Sequence, residues 1–122
     1  MRILVVEDDY SIRETLAMVL ESFQYQADLV ESGEQVLEYL AHTWPDVMLL
    51  DLTLPGMTGE EVYQNILNRF GRVPSTVVFS AAQEGASRAS HMPGAWFLGK
   101  PYTLDQLQEV IAQAGHPRQG AA

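Results

Sequence analysis

There is no cysteine in this chain. That excludes disulfides, thiolate-bound metals and a thiol nucleophile together, and it is compatible with a reducing compartment, with the cytoplasm the expected location. Basic residues are scarce. Lys and Arg total 7 against 16 Asp and Glu, for a formal net charge of -9 over 122 residues. Nucleic acid and anionic membrane surfaces both demand a basic face, so direct contact with either through this chain is not expected. No apolar run approaches the roughly 18 residues that span a bilayer. The opening Met1-Arg2-Ile3-Leu4-Val5-Val6-Glu7 turns acidic too early for a secretory signal. Neither Gly-x-Gly-x-x-Gly nor Gly-x-x-x-x-Gly-Lys occurs. His42, His91 and His116 do not have metal-ligand spacing and read as surface residues.

What is present is an alternation of two hydrophobic periods. Residues 2–6 form a short apolar run, and Ile12, Leu16, Val19, Leu20 and Phe23 then fall on one helical face. Gln26–Val30 is a weaker strand. Ser32 is placed to cap a second helix carrying Val36, Leu37 and Leu40, which Trp44-Pro45 ends. Asp46–Leu50 is almost continuously apolar, the pattern of a strand covered on both faces. After the turn-rich Leu54-Pro55-Gly56-Met57-Thr58-Gly59, Val62, Tyr63, Ile66, Leu67 and Phe70 give a third helix. Here Gly56 and Gly59 read as turn glycines. Ser75–Ser80 and Ala95–Leu98 are further strands. Thr103 and Gln106 make a capping box for a last helix, with Leu104, Leu107, Val110, Ile111 and Ala114 as its stripe.

Five strands alternating with helices predict a single α/β domain with a parallel sheet and helices on both faces. The flavodoxin-like order 2-1-3-4-5 is expected, with its switch point between the first and third strands. Residues 83–92 are the weak point. Only Ala86, Ala89 and Met92 are apolar there, so a short or irregular fourth helix is expected. The domain is expected over about residues 1–114, and residues 115–122 as a frayed tail.

Chemistry-bearing residues stand where these strands end. Glu7-Asp8 follows the first strand, Asp51 the third and Ser80 the fourth, while Lys100, the only lysine, follows the fifth. In a parallel sheet these ends share one edge. Two carboxylates about 4 Å apart repel by roughly 4 kcal/mol at an effective dielectric near 20. A pocket holding Glu7, Asp8 and Asp51 therefore calls for a cation or for raised pKa values. An all-oxygen donor set with few protein ligands suits Mg²⁺ or Mn²⁺. With Lys100 as a fixed cation and Ser80 as a hydroxyl donor, a transferring phosphoryl group is the natural guest and Asp51 the candidate nucleophile. Asp9 belongs to the loop or to the first helical turn, where its charge favours the helix dipole. Trp44 and Trp96 read as packing residues.

Together Ile3-Leu4-Val5-Val6-Glu7-Asp8, Asp46-Val47-Met48-Leu49-Leu50-Asp51, Leu54-Pro55-Gly56-Met57-Thr58-Gly59, Val77-Val78-Phe79-Ser80-Ala81 and Phe97-Leu98-Gly99-Lys100-Pro101-Tyr102 resemble the receiver (CheY-like) domain of two-component response regulators. The resemblance covers about residues 1–114. It implies that Asp51 is the phosphoacceptor, that Asp8 is a direct Mg²⁺ ligand with Glu7 acting through water, and that the Thr53 carbonyl completes the metal site. It also implies that Ser80 and Phe97 are the switch pair, that Lys100 binds the phosphoryl group, and that Lys100-Pro101 is a cis peptide. The implied partners are a sensor histidine kinase or phosphotransfer protein, and a second copy of the chain. The implied output face is the fourth helix, fifth strand and fifth helix. A module of this kind catalyses its own phosphorylation and turns over no metabolite. Two departures stand out: the stretch from Ser80 to Lys100 is about two residues shorter than usual, and it has little helical pattern.

Three other readings meet the same residues. A receiver-like domain that is never phosphorylated would lack part of the acidic pocket, the lysine or the hydroxyl. An aspartate-dependent phosphatase would carry Asp-x-Asp on its first strand. A flavin site would need N–H and hydroxyl donors where the first loop has carboxylates.

Overall fold

The computed structural model describes residues 1–81 and 87–115. The expected tail lies outside the described residues from 116 onward, as do residue 82 and residues 83–86 of the weak fourth segment. The elements run β1 (Arg2–Val6), α1 (Tyr10–Ser22), β2 (Gln26–Val30), α2 (Gly33–Leu40), β3 (Val47–Asp51), α3 (Gly59–Phe70) and β4 (Thr76–Ala81). Next come a helical segment α4, of which 87–89 are described, β5 (Trp96–Lys100) and α5 (Leu104–Gly115). The strands pair in parallel in the order 2-1-3-4-5, as expected. Strands 3, 4 and 5 begin one residue later than the apolar runs suggest, and each reaches its polar terminal residue or beyond, so that Asp51, Ser80 and Lys100 are within the ladder.

Pleating divides the core between the two faces of the sheet. Leu4, Val6, Met48, Leu50 and Val78 pack with Val36, Leu40, Val62 and Ile66 of α2 and α3. Ile3, Val5, Val47, Leu49, Val77 and Phe79 pack with Leu16, Leu20, Leu107 and Ile111 of α1 and α5. All five residues of β3 are buried, which accounts for its unbroken apolar run.

Short polar residues fix where the helices start. Asp9 caps α1 by accepting from the Ile12 N–H at 3.0 Å. Ser32 caps α2, Thr58 and Glu61 form a reciprocal box on α3, and Thr103 and Gln106 exchange bonds of 2.9 and 3.1 Å before α5. The weak segment has a definite outcome where it is described: Ala89 and Met92 are buried in the α2/α3-side core. The Tyr63 hydroxyl donates to the Pro93 carbonyl at 2.7 Å.

Three stripe assignments are corrected. Ile12 is 39% exposed, Leu67 likewise 39% and Leu104 58%. Ile12 and Leu104 lie in the first turns of α1 and α5, beyond the part of the sheet those helices cover. There they line an apolar groove of about 270 Å³ with Leu16, Val19, Tyr102 and Leu107. Leu67 lies near the end of α3, beside a second cavity of about 290 Å³ that opens under the start of β4 and β5.

Candidate functional site

The carboxyl ends of β1 and β3 are neighbours, with Val6 paired to Leu50. The residues that follow them meet: one carboxylate oxygen from each of Glu7, Asp8 and Asp51 lies within 4.8 Å of the others. Glu7 is 1% and Asp51 5% exposed, whereas Asp8 faces solvent. Asp51 Oδ1 accepts from the Thr53 N–H at 3.0 Å. Glu7 Oε2 accepts from the Asp9 N–H at 3.1 Å, and Glu7 Oε1 is buried with no partner among the described residues. Burial first, and then the neighbouring Asp51 charge, push the Glu7 carboxyl from its ordinary 4.5 up to about 7. An orphaned buried oxygen facing two other carboxylates fits a hard divalent cation with oxygen ligands.

Register brings the remaining candidates to the same edge. Asp51 pairs with Phe79, Ser80 with Gly99 and Ala81 with Lys100. Alternation carries Glu7, Asp51, Phe79 and Lys100 toward the α1/α5 side, and Ser80 and Phe97 toward the α2/α3 side. The half-buried Lys100 ammonium sits 5.0 Å from the centroid of the Phe79 ring, beside the Asp51 strand position. Ser80 is buried, and Phe97 is partly buried against the α2/α3-side core. Thr53 is exposed in the loop after Asp51. The Lys100–Pro101 bond is cis. Of the histidines, His42 and His91 are exposed, and His116 lies outside the described residues.

Glycine shapes the loop after Asp51 in two ways. Gly56 takes φ +78°, the left-handed turn conformation open to glycine. Gly59 is a turn glycine only in part. It is the first residue of α3, and a Cβ there would come within 2.6 Å of Leu52 Cδ2 and 3.1 Å of Leu52 Cα. The absent side chain lets α3 start directly against the strand exit, with the Gly59 N–H on the Leu52 carbonyl at 3.3 Å.

Three further residues bear on the pocket. The Arg13 guanidinium donates to the Glu7 carbonyl at 2.9 Å and the Asp8 carbonyl at 3.3 Å, and pairs with Glu31 at 3.5 Å. A cation in the first turn of a helix opposes the dipole; that conflict was the available sign of a specific acceptor. Tyr102 is pushed upward in pKa by burial first and then by the Glu7 charge, so its phenol lies in the field of the pocket. Arg88 reaches the Leu52 carbonyl from α4 at 3.2 Å, and no periodicity signals that contact.

The chain is an open parallel α/β sheet with a partly buried carboxylate cluster at its switch point and a hydroxyl-bearing and an ammonium-bearing strand end on the same edge. The family model for the response regulator receiver domain matches residues 3–112, and the chain belongs to that family. It is 32% identical over 111 residues to the DNA-binding transcriptional regulator NtrC of Escherichia coli (strain K12), covering 90% of this chain and 24% of the regulator. It is 39% identical over 113 residues to the transcriptional regulatory protein BaeR of Escherichia coli O6:H1, covering 92% and 45%. The chain thus spans about a quarter and under a half of these relatives. Among solved structures, the receiver domain of the sensor histidine kinase PA1611 from Pseudomonas aeruginosa PAO1, with magnesium in its active site cleft, superposes at TM-score 0.83. It is 25% identical, over 93% of this chain and 96% of that one. A sensor protein from Polaromonas sp. JS666 superposes at TM-score 0.83 with 31% identity, over 93% and 94%. The fold and family expectations therefore hold, and this is a receiver domain of two-component systems.

Proposed function

We propose that the chain accepts a phosphoryl group on Asp51 from the phosphohistidine of a sensor histidine kinase or phosphotransfer protein. The observation that carries this is the meeting of Glu7, Asp8 and Asp51 oxygens within 4.8 Å, with Glu7 Oε1 buried and unpartnered among the described residues. An Asp51 carboxylate oxygen attacks phosphorus. The bond to the donor imidazole nitrogen breaks and the imidazole keeps its electron pair, leaving an acyl phosphate on Asp51. Asp8, Asp51 and the Thr53 carbonyl would hold Mg²⁺ (or Mn²⁺), with Glu7 acting through water. When bound, the ion neutralises charge on the carboxylates and on the transferring oxygens. Lys100 holds a phosphoryl oxygen, and the Phe79 ring beneath its ammonium orients it. The chain performs this step on itself and turns over no metabolite.

Phosphorylation adds about 1.5 to 2 negative charges. Ser80 closes on the new oxygens, and Phe97, on the same side of the sheet, turns into the space released. The face of α4, β5 and α5 then changes by a shift between existing states. A second copy of the chain is one reader of that face. Output through DNA belongs to other parts of a regulator, since this domain carries a net charge of -9. Residues 1–114 form the receiver, which operates in the cytoplasm; among the described residues no helix is long and apolar enough to cross a membrane.

The test is intact-mass spectrometry after Mg²⁺ and acetyl phosphate. The expected result is one phosphoryl adduct on the wild-type protein and none on Asp51→Asn. An unmodified wild-type protein that also fails to bind Mg²⁺ removes the proposal.

A further inference from the structure

We propose that Arg88 is a positioning residue for phosphoryl transfer: it orients the Asp51 carboxylate through the Leu52–Thr53 peptide group and ties that group to α4. The inference rests on the phosphoacceptor reading of Asp51.

Arg88 Nη2 donates to the Leu52 carbonyl at 3.2 Å. That carbonyl and the Thr53 N–H belong to the same planar unit, which does not twist. The Thr53 N–H donates to Asp51 Oδ1 at 3.0 Å. A guanidinium on one edge of the peptide plane therefore sets the direction of the hydrogen bond that holds the reacting carboxylate on the other edge. It also polarises the plane, so the two bonds reinforce each other.

Arg88 is itself fixed. Its Nε and Nη2 meet Glu60 Oε2 and Oε1 at 2.7 and 2.6 Å, a fork-on-fork pairing with an acid in the first turn of α3. The Glu60 carboxyl is held below its usual range, chiefly by this bond. The Leu52 carbonyl takes a second donor, the Gly59 N–H, at 3.3 Å. The neck of the Leu52–Thr58 loop is thus closed from α3 and from α4 at one oxygen atom. A lysine could not supply both the fork on Glu60 and the third bond on Leu52.

The placement gives Arg88 a second role. It stands eight residues after Ser80, on the segment that the switch hydroxyl leads into. Displacing that segment pulls on the peptide that orients Asp51. By linkage, a change at the Asp51 oxygens biases α4 in return. The shortened stretch between Ser80 and Lys100 is thereby given a direct mechanical link to the reaction.

Arg88→Met and Arg88→Lys are compared with the wild type by amide hydrogen exchange of the metal-free protein, and by the rate and Mg²⁺ dependence of adduct formation with acetyl phosphate. In both variants the Thr53 and Gly59 amides are expected to exchange about tenfold faster, while the Val62 amide, bonded to the carbonyl of the cap residue Thr58, keeps its wild-type rate. Adduct formation is expected to slow roughly three- to tenfold, and the half-saturating Mg²⁺ concentration to rise, an effect that loss of global stability alone does not produce well below the melting temperature. Wild-type exchange at Thr53 in Arg88→Met overturns the proposal, as does full recovery in Arg88→Lys, which would make charge alone sufficient. A wild-type protein that takes no adduct brings down the phosphoacceptor reading instead, and this proposal with it.

Discussion

Replacing Glu7 by Gln is expected to make the metal-free protein more stable above neutral pH, although it removes a site residue. Glu7 is 1% exposed, one of its oxygens has no partner among the described residues, and Asp51 lies beside it. Its carboxyl is raised from 4.5 to about 7. Between those values the folded state holds a proton that the unfolded state has released. Linkage then makes stability fall as pH rises, beginning near 4.5 and complete just above 7. At about 1.4 kcal/mol per tenfold change in proton affinity, the loss is roughly 3 kcal/mol. Gln keeps the shape, can still accept from the Asp9 N–H, and offers Asp51 an N–H in place of a charge. Urea unfolding in chelator, followed by Trp44 and Trp96 fluorescence at steps from pH 5 to 8, should show a falling wild-type curve and a nearly flat variant. The curves should separate by about 2–3 kcal/mol at the alkaline end. Saturating Mg²⁺ at a hundred times its Kd should return about 2.7 kcal/mol to the wild type and less to the variant. Parallel pH profiles for the two proteins would refute the reasoning, because they would mean that Glu7 does not carry the penalty.

Gly59→Ala should cost about 1–3 kcal/mol by overpacking against Leu52, read as a lower urea midpoint at unchanged m-value; a neutral result means that α3 can retreat freely. Asp9→Ala removes the cap on the Ile12 N–H and should cost about 1 kcal/mol by the same assay, leaving Mg²⁺ binding intact. Lys100→Met should slow adduct formation by roughly a hundredfold while Mg²⁺ still binds; a wild-type rate would show that the ammonium over Phe79 takes no part.

The elements read most directly from sequence are those where local and tertiary demands agree. β3 is apolar from Val47 to Leu50 because both its faces are covered, and the run stops at Asp51, its last residue, which enters the pocket. Ser32 and Thr103 mark their helix starts in the sequence because short polar side chains satisfy N–H groups one turn away, a wholly local interaction, and Asp9 and Thr58 cap α1 and α3 by the same means. Leu104 and Ile12 mislead because periodicity reports which face of a helix is apolar and not how far along the helix the sheet extends. The carboxylate cluster is legible because parallel strands put their ends on one edge. Arg88 is not, since its partners Leu52 and Glu60 are 36 and 28 residues away and no pattern relates them. Only the fold brings Glu60 and Arg88 together.

The strand order also has a consequence for synthesis. β3 enters the sheet beside β1, but its other neighbour is β4, whose residues 76–81 leave the ribosome later. Until they do, a nascent chain holding β2, β1 and β3 presents Val47-Met48-Leu49-Leu50 as an unpaired apolar border. Such a border recruits other strands into aggregates. Truncations that stop after α3 should therefore precipitate, and chaperone engagement should fall once β4 is translated.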